Sequence, residues 1–376
     1  MRKVNVFLRT GKNPHPIYYD LIDYPPSNIN YKHPGIIKAT SNKKSSTLHK
    51  LKIKIWLKYI KKNPAIAWID KKGCDIIHST NNIMVLNRSP WVMDVENLWG
   101  LINFDPNNLK KSYFLKVRNI LSSKYCKKLI HYTNAAKLSL IYSGLGRLED
   151  KMEVVYPAKK SIPYFNKMEN KIPRILWAGS KFWEKGGNTV LQVFDKINKK
   201  AKFELIMLGP VPESIKKRYS TNKNITFIEN KRHDKILWEE FQKADIFFYP
   251  TNLDSYGLGM IDAMNYCLPI VASKIFSSSE IVENGVNGFI IEHPFKWHDE
   301  KFQIIFPSFE DYVEKLKYFR DEKFINEFSK NILKLLKDKN LRKSMGIAGK
   351  KMVENGKFSI EERNKKLEKI YNNALF

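Results

Sequence analysis

Short apolar runs alternate with polar, lysine-rich stretches along this chain of 376 residues. In the second half, near-continuous apolar runs predict buried strands and amphipathic runs between them predict helices. The predicted strands are 174–178, 203–208, 224–228, 245–249 and 269–272, and the predicted helices are 188–197, 234–243 and 258–266. Strands that are apolar throughout and alternate with helices indicate an α/β fold with a parallel sheet covered on both faces.

The first half is less regular. Its predicted strands are 4–8, 75–78, 91–93, 128–132 and 152–157, and its predicted helices are 51–60, 109–120 and 134–142. Residues 10–50 are rich in Pro, Asn, Ser and Lys with little periodicity, so we expect a long surface loop there. The chain closes in predicted helices at 309–320, 324–336, 341–354 and 360–372.

The chain is too long for one ordinary core, which predicts two domains. We place an N-terminal Rossmann-like domain at 1–157, a linker at 158–172 and a C-terminal Rossmann-like domain at 173–355. A last helix at 356–376 is expected to pack back on the N-terminal domain. In the second domain the carboxyl ends of the parallel strands are the expected ligand edge.

Composition narrows the class of protein. No apolar run approaches the roughly 18 residues that span a bilayer, and the N-terminal apolar stretch is too short for a signal peptide. The 3 cysteines are far apart, which argues against a disulfide framework or a zinc site. We therefore expect a cytoplasmic protein, with peripheral attachment to the inner face of the membrane as one alternative.

The net charge of the chain does not by itself identify a binding partner. The formal net charge is +28 and comes mostly from lysines spread along the chain. The segment Lys43–Lys62 combines lysines with Leu51, Ile55 and Trp56 at helical spacing, which is typical of a helix lying on an anionic membrane. An ordinary helix with a solvated lysine face explains the same pattern. No nucleic-acid-binding motif is present, so nucleic acid is not expected as a partner.

Two loops at the ligand edge carry candidate chemistry. The first, Gly179-Ser180-Lys181-Phe182-Trp183-Glu184-Lys185-Gly186-Gly187, follows a predicted strand and opens a helix. Amides at a helix start attract phosphate, and Lys185 adds a full charge. The second loop, 250–257, is Gly-rich and leads into a helix; Asp254 and Asp262 there can accept hydrogen bonds from sugar hydroxyls. Each feature alone is also explained by an ordinary turn with solvated side chains.

Together, in this order and spacing, the loops resemble those of the family 4 retaining glycosyltransferases, which have the GT-B fold. The family signature G-R-x-x-x-x-K-G is matched at Gly179, Lys185 and Gly186, with Ser180 in place of the arginine and Lys181 beside it. The E-x(7)-E signature is matched with both acids as aspartate, Asp254 and Asp262. Segments 280–289 and 341–346 resemble further parts of the family pattern.

The resemblance implies two Rossmann-like domains that face each other across a cleft, with C-terminal helices returning to the first domain. It implies that Lys185 neutralises the departing diphosphate, that Asp254 binds the transferred sugar and that Asp262 binds the ribose. The other implied donor-binding residues are Gly179, Ser180, Lys181, Gly186, Gly209, Ser255, Tyr256, Gly257 and Leu258. The donor would be a UDP- or GDP-linked sugar, and the acceptor a glycan or lipid-linked sugar.

The N-terminal, acceptor-binding domain resembles the family only loosely. Adjacent acids, Asp94 and Glu96, follow a predicted buried strand where the family has a catalytic histidine, and Glu96 is the candidate. Ordinary loop acids explain the pattern as well, and His78 is read as a core or rim residue. The sequence contains no D-x-D pair, which fits metal-independent transfer. Retention of anomeric configuration is what the family resemblance implies.

Two other functions fit parts of the sequence. A catalytically degenerate GT-B protein could use the basic surface to bind anionic lipid or nucleic acid. A nucleotide-sugar epimerase shares the fold. Because Lys185 and both acids stand at the expected places, we predict an active glycosyltransferase.

Overall fold

The computed structural model describes residues 3–10, 15–34, 64–103, 105–163, 170–229 and 234–376. The chain divides into two compact units. Unit 1 comprises Met1–Ala158, His298–Phe309 and Ile360–Phe376, and unit 2 comprises Lys159–Trp297 and Glu310–Ser359.

Unit 1 is built on a parallel sheet. Its strands are β1 (Val4–Arg9), β2 (Ile29–Lys32), β3 (Ile66–Ala67), β4 (Ile76–Ser79), β5 (Met84–Val85), β6 (Trp91–Val95), β7 (Cys126–His131) and β8 (Met152–Val154). The main sheet has the order β2-β1-β4-β6-β7-β8, and β3 pairs with β5. Its helices before unit 2 are α1 (Ile17–Asp23), α2 (Leu98–Leu101), α3 (Lys111–Leu121) and α4 (Asn134–Leu140), with short helical turns at Pro106–Asn108, Ile141–Leu145 and Gly146–Lys151.

Unit 2 is a second α/β unit with a parallel sheet. Its strands are β9 (Arg174–Ala178), β10 (Glu204–Leu208), β11 (Ile225–Ile228), β12 (Ile246–Tyr249), β13 (Ile270–Lys274) and β14 (Gly288–Glu292). Its helices are α5 (Gly187–Ile197), α6 (Glu213–Arg218), α7 (Asp234–Lys243), α8 (Leu258–Asn265), α9 (Ser278–Ile281), α10 (Phe309–Leu316), α11 (Glu322–Lys337) and α12 (Lys339–Glu354). The strand order is β11-β10-β9-β12-β13-β14. The predicted α/β class with parallel, doubly covered strands is confirmed.

Aromatic packing explains why the strands of unit 2 are apolar on both faces. All four residues of β12 are buried. On one face Phe248 packs edge-on against Phe328 of α11, with 5.1 Å between ring centroids. On the other, Phe247 lies 5.2 Å from Phe241 of α7. Helices on both faces leave only the strand ends open to a ligand.

The last helix, α13 (Ile360–Ala374), belongs to unit 1. Its Lys366 ammonium donates to the Val154 carbonyl at 3.0 Å, and its Arg363 guanidinium donates to the Tyr24 carbonyl at 2.6 Å. Glu368 accepts from the Asn28 amide at 2.6 Å. These contacts fix the helix against the elements that flank the sheet of unit 1.

A buried lysine fastens the start of unit 2, within the predicted linker 158–172. Lys350 of α12 is buried, and its ammonium donates to Ser161 Oγ at 2.9 Å and the Ile162 carbonyl at 2.6 Å. It also donates to Asn265 Oδ1 at 2.9 Å. The chain entering unit 2 is therefore held by α8 and α12.

Two sequence predictions need correction. The expected loop at 10–50 contains α1 and β2 within its described part. The loop signal hid them because β2 is a short edge strand with alternating burial and α1 is a single short helix flanked by prolines. The second correction concerns Asp94, which we expected after a strand. It lies inside β6, whose side chains are all buried.

Candidate functional site

The strand order of unit 2 creates a switch point between β9 and β12. Chain connections run outward in opposite directions from these two neighbouring strands, so the loops at their carboxyl ends part and leave a crevice. The loop 179–186 follows β9, and the loop 250–257 follows β12. The structure thus brings together the two motifs that the sequence singles out.

The first loop is pinned to its own strand and to the second loop. The Trp177 indole donates to the Lys185 carbonyl at 2.8 Å. The Glu184 carbonyl accepts from the amides of Asn252 and Leu253 at 2.9 and 3.0 Å. Gly186 has φ +70°, and a Cβ there would lie 1.8 Å from the Pro250 carbonyl oxygen. Only glycine allows the two loops to approach this closely.

Lys185 and Asp254 form an ion pair across the two loops. Lys185 Nζ donates to Asp254 Oδ2 at 2.7 Å and to the Leu253 carbonyl at 3.1 Å. The side chains are 18% and 19% exposed, so both remain accessible to a ligand. The pairing with Asp254 leaves Lys185 less exposed than an ordinary loop lysine.

Tyr249, the last residue of β12, completes this cluster. Its hydroxyl donates to Asp254 Oδ2, the same oxygen that accepts from Lys185. Burial raises the pKa of the Asp254 carboxyl, but the Lys185 charge and the bonds from Lys185, Tyr249 and the Tyr256 amide outweigh it, so the pKa lies below its usual range. Burial and the Asp254 charge raise the pKa of Tyr249, which keeps the phenol protonated.

The second loop leads into α8 through a left-handed glycine. Gly257 has φ +88° and immediately precedes Leu258, the first residue of the helix. Ser277 Oγ donates to the Ser255 carbonyl at 2.8 Å and to the Tyr256 carbonyl at 3.4 Å, so both peptides are oriented. Amides at the start of α8 are therefore preorganised at the ligand edge.

Further back in the second loop, Asn252 is tied to the body of unit 2. His293 Nε2 donates to Asn252 Oδ1 at 2.7 Å, and His293 Nδ1 accepts from the Phe295 amide at 3.0 Å. The Tyr312 hydroxyl donates to the Asn252 carbonyl at 2.8 Å. These bonds fix the loop through Asn252 and leave the Lys185–Asp254 pair uninvolved.

Asp262 lies on the second turn of α8 and is 5% exposed. Its Oδ1 accepts from the Lys159 ammonium, which also lies 5.0 Å from the Trp238 ring centroid. The pairing offsets the charge of a nearly buried acid. The sequence analysis did not identify Lys159, because it falls in the predicted linker with no motif around it.

An open cavity of about 630 Å³ lies beside these residues. It is lined by the predicted Gly179, Ser180 and Asp262, and by residues that the sequence analysis did not identify, including Pro210, Lys216, Glu229 and Phe241. Lys216 Nζ bonds Glu213 at 2.7 Å and Glu229 at 2.8 Å. The volume falls within the range of small-molecule sites.

The remaining predicted residues of this edge are placed as follows. Gly209 follows β10, and its amide donates to the Ile228 carbonyl at 2.9 Å. Lys181 is 59% exposed, and its Nζ lies 3.4 Å from Glu184. Its ammonium is thus exposed and partly neutralised by Glu184, whereas that of Lys185 is held by hydrogen bonds to a carbonyl and a carboxylate. Among the described residues, no cluster of His, Cys, Asp and Glu has the composition of a metal site.

In unit 1, Asp94 is the centre of a buried polar network. Asp94 Oδ1 lies 2.8 Å from His78 Nε2, and its Oδ2 accepts from the Tyr18 hydroxyl at 2.8 Å. His78 Nδ1 lies 2.6 Å from the Tyr371 hydroxyl of α13. His78 is therefore a satisfied core residue, as one of the two sequence interpretations holds, and Asp94 is engaged by internal partners.

Glu96 follows β6 and is half-buried. Its amide donates to Asn82 Oδ1 at 3.2 Å, and the next residue, Asn97, caps α2 by accepting from the Gly100 amide at 2.8 Å. Glu96 thus stands where a strand gives way to a helix. The predicted surface helix at Lys43–Lys62 lies entirely outside the described residues. In the part of the chain that the structure describes, no helix is long and apolar enough to cross a membrane.

Comparison with known families identifies the kind of domain that contains this ligand edge. Residues 160–305 match the family model described as glycosyl transferases group 1. These residues form a group 1 glycosyltransferase domain. The matched range contains both loops of the ligand edge, with Lys185, Asp254 and Asp262.

Curated relatives of this group 1 glycosyltransferase domain extend the match. A capsular polysaccharide biosynthesis glycosyltransferase, CapM, of Staphylococcus aureus is 25% identical over 268 residues, covering 66% of this chain and 62% of CapM. An uncharacterized glycosyltransferase of Methanocaldococcus jannaschii is 22% identical over 321 residues, covering 81% of this chain and 76% of the relative. The chain therefore spans less than two thirds of CapM.

Solved structures show the fold of the whole chain. A glycosyltransferase from Rickettsia africae aligns with a TM-score of 0.62 at 15% identity, covering 100% of this chain and 99% of its own. HepE of Anabaena, crystallised with UDP-glucose, aligns with a TM-score of 0.59 at 14% identity, covering 98% and 99%. Around the group 1 domain, the chain has the fold of the GT-B glycosyltransferases, as the sequence resemblance implies.

Proposed function

We propose that this protein transfers a sugar from a nucleoside diphosphate sugar to a glycan or lipid-linked acceptor. The observation that carries the proposal is the Lys185–Asp254 pair at the switch point of a group 1 domain. It sets a cation and an acid side by side, where a sugar diphosphate presents phosphate oxygens next to hydroxyl groups. The adjoining cavity has room for the nucleoside.

In this proposal each group has one task. Lys185 and the amides at the start of α8 stabilise the negative charge that develops on the departing diphosphate. Asp254 accepts hydrogen bonds from hydroxyls of the transferred sugar, and Asp262 accepts them from the ribose. Because lysine and helix amides carry the charge, transfer proceeds without a metal ion. We also propose that the transferred sugar retains its anomeric configuration. Glu96 of unit 1 is assigned to the part of the site that binds the acceptor.

The donor is a UDP- or GDP-linked sugar. HepE was crystallised with UDP and with UDP-glucose, which makes UDP-sugars the first candidates. Glycan acceptors are suggested by the names of CapM and of WaaG, a lipopolysaccharide biosynthesis glycosyltransferase of the same fold.

A donor screen tests the proposal. Purified protein is incubated with a panel of UDP- and GDP-sugars and with glycan or lipid-linked acceptors, and nucleotide release is followed with and without EDTA. We expect one donor to raise the melting temperature and to be consumed at a rate that EDTA leaves unchanged. NMR of the product gives the anomeric configuration.

Other outcomes of the screen separate the alternatives. Strict dependence on magnesium or manganese contradicts the metal-independent site. Interconversion of the donor sugar without transfer indicates an epimerase. Absence of nucleotide binding and of turnover with the whole panel indicates a degenerate member of the fold.

We also propose that unit 1 contacts an anionic membrane surface. Ile66 of β3, and Trp68 and Leu86 directly after β3 and β5, are exposed large apolar side chains, and Trp68 is 71% exposed. They follow the lysine-rich segment Lys43–Lys62 in the chain, so apolar and basic groups are combined. A lipid-linked acceptor would be delivered at such a surface.

Vesicle sedimentation tests the membrane proposal. We expect binding to vesicles with anionic lipid and release by salt, since each lysine near the surface contributes roughly 1 kcal/mol. Reversing four lysines of Lys43–Lys62 to glutamate should abolish binding, and Trp68→Ser should weaken it. Equal binding to neutral vesicles, or no binding to anionic ones, contradicts it.

A further inference from the structure

Tyr249 is a polar group at the ligand edge to which neither the family match nor the sequence motifs give a role. It ends β12, is 4% exposed, and its ring stacks on Phe247 with 5.4 Å between centroids. A buried phenylalanine would fill the same space. The hydroxyl is therefore not needed for packing, yet it points at Asp254 and donates to Oδ2.

The two oxygens of Asp254 are used unequally. Oδ2 accepts from both Tyr249 and Lys185, whereas Oδ1 accepts, among the described residues, only a long bond of 3.4 Å from the Tyr256 amide. Tyr249 and Lys185 thus hold the carboxylate through Oδ2, and Oδ1 is left with the weaker protein partner. An acceptor held in this way is suited to a ligand hydroxyl, which needs a lone pair in a fixed direction.

Lys185 has to serve two partners in the proposed reaction. It is paired with Asp254 in the present structure, and it has to reach a phosphate oxygen when the donor is bound. If Lys185 alone held Asp254, every shift of the ammonium toward phosphate would release the carboxylate. The Tyr249 hydroxyl removes this conflict, because it is a neutral hydrogen-bond donor that stays bonded to Asp254 Oδ2. Its raised pKa means that the phenol keeps its proton.

We propose that Tyr249 is a positioning residue that keeps the Asp254 carboxylate oriented for the sugar while Lys185 turns to the diphosphate. The inference rests on the proposed transferase function. It also predicts that Tyr249 affects recognition of the sugar more than recognition of the nucleotide.

Tyr249→Phe tests this, with Tyr219→Phe as the matched control. Tyr219 makes the same kind of bond, donating to Asp195 Oδ2 at 2.7 Å, but far along the chain from either loop of the ligand edge. We expect Tyr249→Phe to lower kcat on the order of ten-fold, the effect of losing one hydrogen bond to a charged group, with the Kd for the nucleoside diphosphate unchanged. The Kd for the nucleotide sugar should rise. Tyr219→Phe should change none of these.

The acid limb of the pH profile gives a second readout. Because the Tyr249 bond lowers the pKa of Asp254, its loss raises that pKa, and the limb of kcat/KM that falls with acid should move to higher pH. A merely structural effect of Tyr249→Phe would leave the limb in place. Wild-type kcat and an unmoved limb overturn the inference.

Carbon-13 NMR titration of the Asp254 carboxyl separates this inference from the proposed function. We expect its pKa to rise in Tyr249→Phe and to stay constant in Tyr219→Phe. An unchanged Asp254 pKa overturns the positioning role whatever the activity. A raised pKa in a protein that turns over no donor contradicts the transferase function but leaves the orientation of Asp254 by Tyr249 standing.

Discussion

At the scale of single residues, the ligand edge depends on two charges that are close together but not deeply buried. Lys185 and Asp254 are each under one fifth exposed, and their charged atoms are 2.7 Å apart. Such a pair can open to admit a ligand, because water and donor phosphate replace the lost contact. The side chain of Lys181, only four residues earlier, is 59% exposed, and its ammonium lies 3.4 Å from Glu184.

Lys185→Ala should therefore lower kcat on the order of 100-fold or more, through loss of charge stabilisation on the leaving diphosphate. It should also lower the free energy of unfolding by roughly 1–3 kcal/mol, since Asp254 loses its cationic partner. Steady-state kinetics and urea unfolding measure the two effects.

Lys181→Ala is the comparison for that prediction: because its side chain is 59% exposed, it should lower kcat far less than Lys185→Ala and leave the free energy of unfolding nearly unchanged. If Lys185→Ala keeps wild-type kcat while Lys181→Ala loses it, the cation that stabilises the leaving group is Lys181. Equal loss in both variants would mean that the loop needs its summed charge.

At the scale of elements, the turn into α5 is set by backbone geometry that one residue type permits. Gly186 has φ +70°, and a Cβ would meet the Pro250 carbonyl oxygen at 1.8 Å. Gly285, elsewhere in unit 2, has a similar φ of +81° but nothing within 4 Å of a Cβ. Comparing alanine at Gly285 with alanine at Gly186 therefore separates the free-energy cost of the left-handed conformation from the cost of the clash with the Pro250 carbonyl.

Gly285→Ala should cost roughly 1–2 kcal/mol, from the left-handed conformation alone. Gly186→Ala should cost clearly more, because the loops at the ends of β9 and β12 have to move apart, and it should weaken nucleotide binding as well. Chemical unfolding and isothermal titration calorimetry measure these changes. Equal stability losses in the two variants would show that the Pro250 contact is not limiting.

At the scale of the whole molecule, each unit holds a buried histidine that responds to acid. Burial, with a smaller effect of Lys137, lowers the pKa of His131 in unit 1 to about 3. Burial and Lys296 lower the pKa of His293 in unit 2 to about 3. Neither ring nitrogen of His131 has a hydrogen-bond partner among the described residues.

Both histidines should make the protein less stable as the pH falls from about 6.5, the ordinary pKa of histidine, toward 3. The unfolded chain takes up these protons first, so their stabilising effect is complete above pH 6.5 and is lost below it. In His131→Phe, the melting temperature of unit 1 should fall less between pH 7 and pH 4.5 than it does in the wild-type protein. His15→Asn, at an exposed position, should leave it unchanged; an unaltered slope in His131→Phe contradicts the assignment.

Although it did not predict β14, the sequence by itself determined the α/β class, five of the six described strands of unit 2 within a residue or two, and the two loops of the ligand edge. It could do so because continuous apolar runs and glycine-rich turns are local signals. It did not predict α1 or β2, since a short edge strand and a single short helix bury too little for a clear period. Asp94 was expected after its strand for a different reason: a charged residue ends the apolar run, and the buried partners that satisfy it inside β6, His78 and Tyr18, come from other elements.

Only the tertiary structure decided which side chains share the site. That Tyr249 bonds Asp254, that Lys159 pairs with Asp262, and that Lys350 holds the start of unit 2 depend on sheet order and loop approach. The strand order β11-β10-β9-β12-β13-β14 brings residues about seventy positions apart, such as Lys185 and Asp254, into one hydrogen bond. Such contacts leave no period in the sequence, because they are fixed by packing between elements and not by neighbours along the chain.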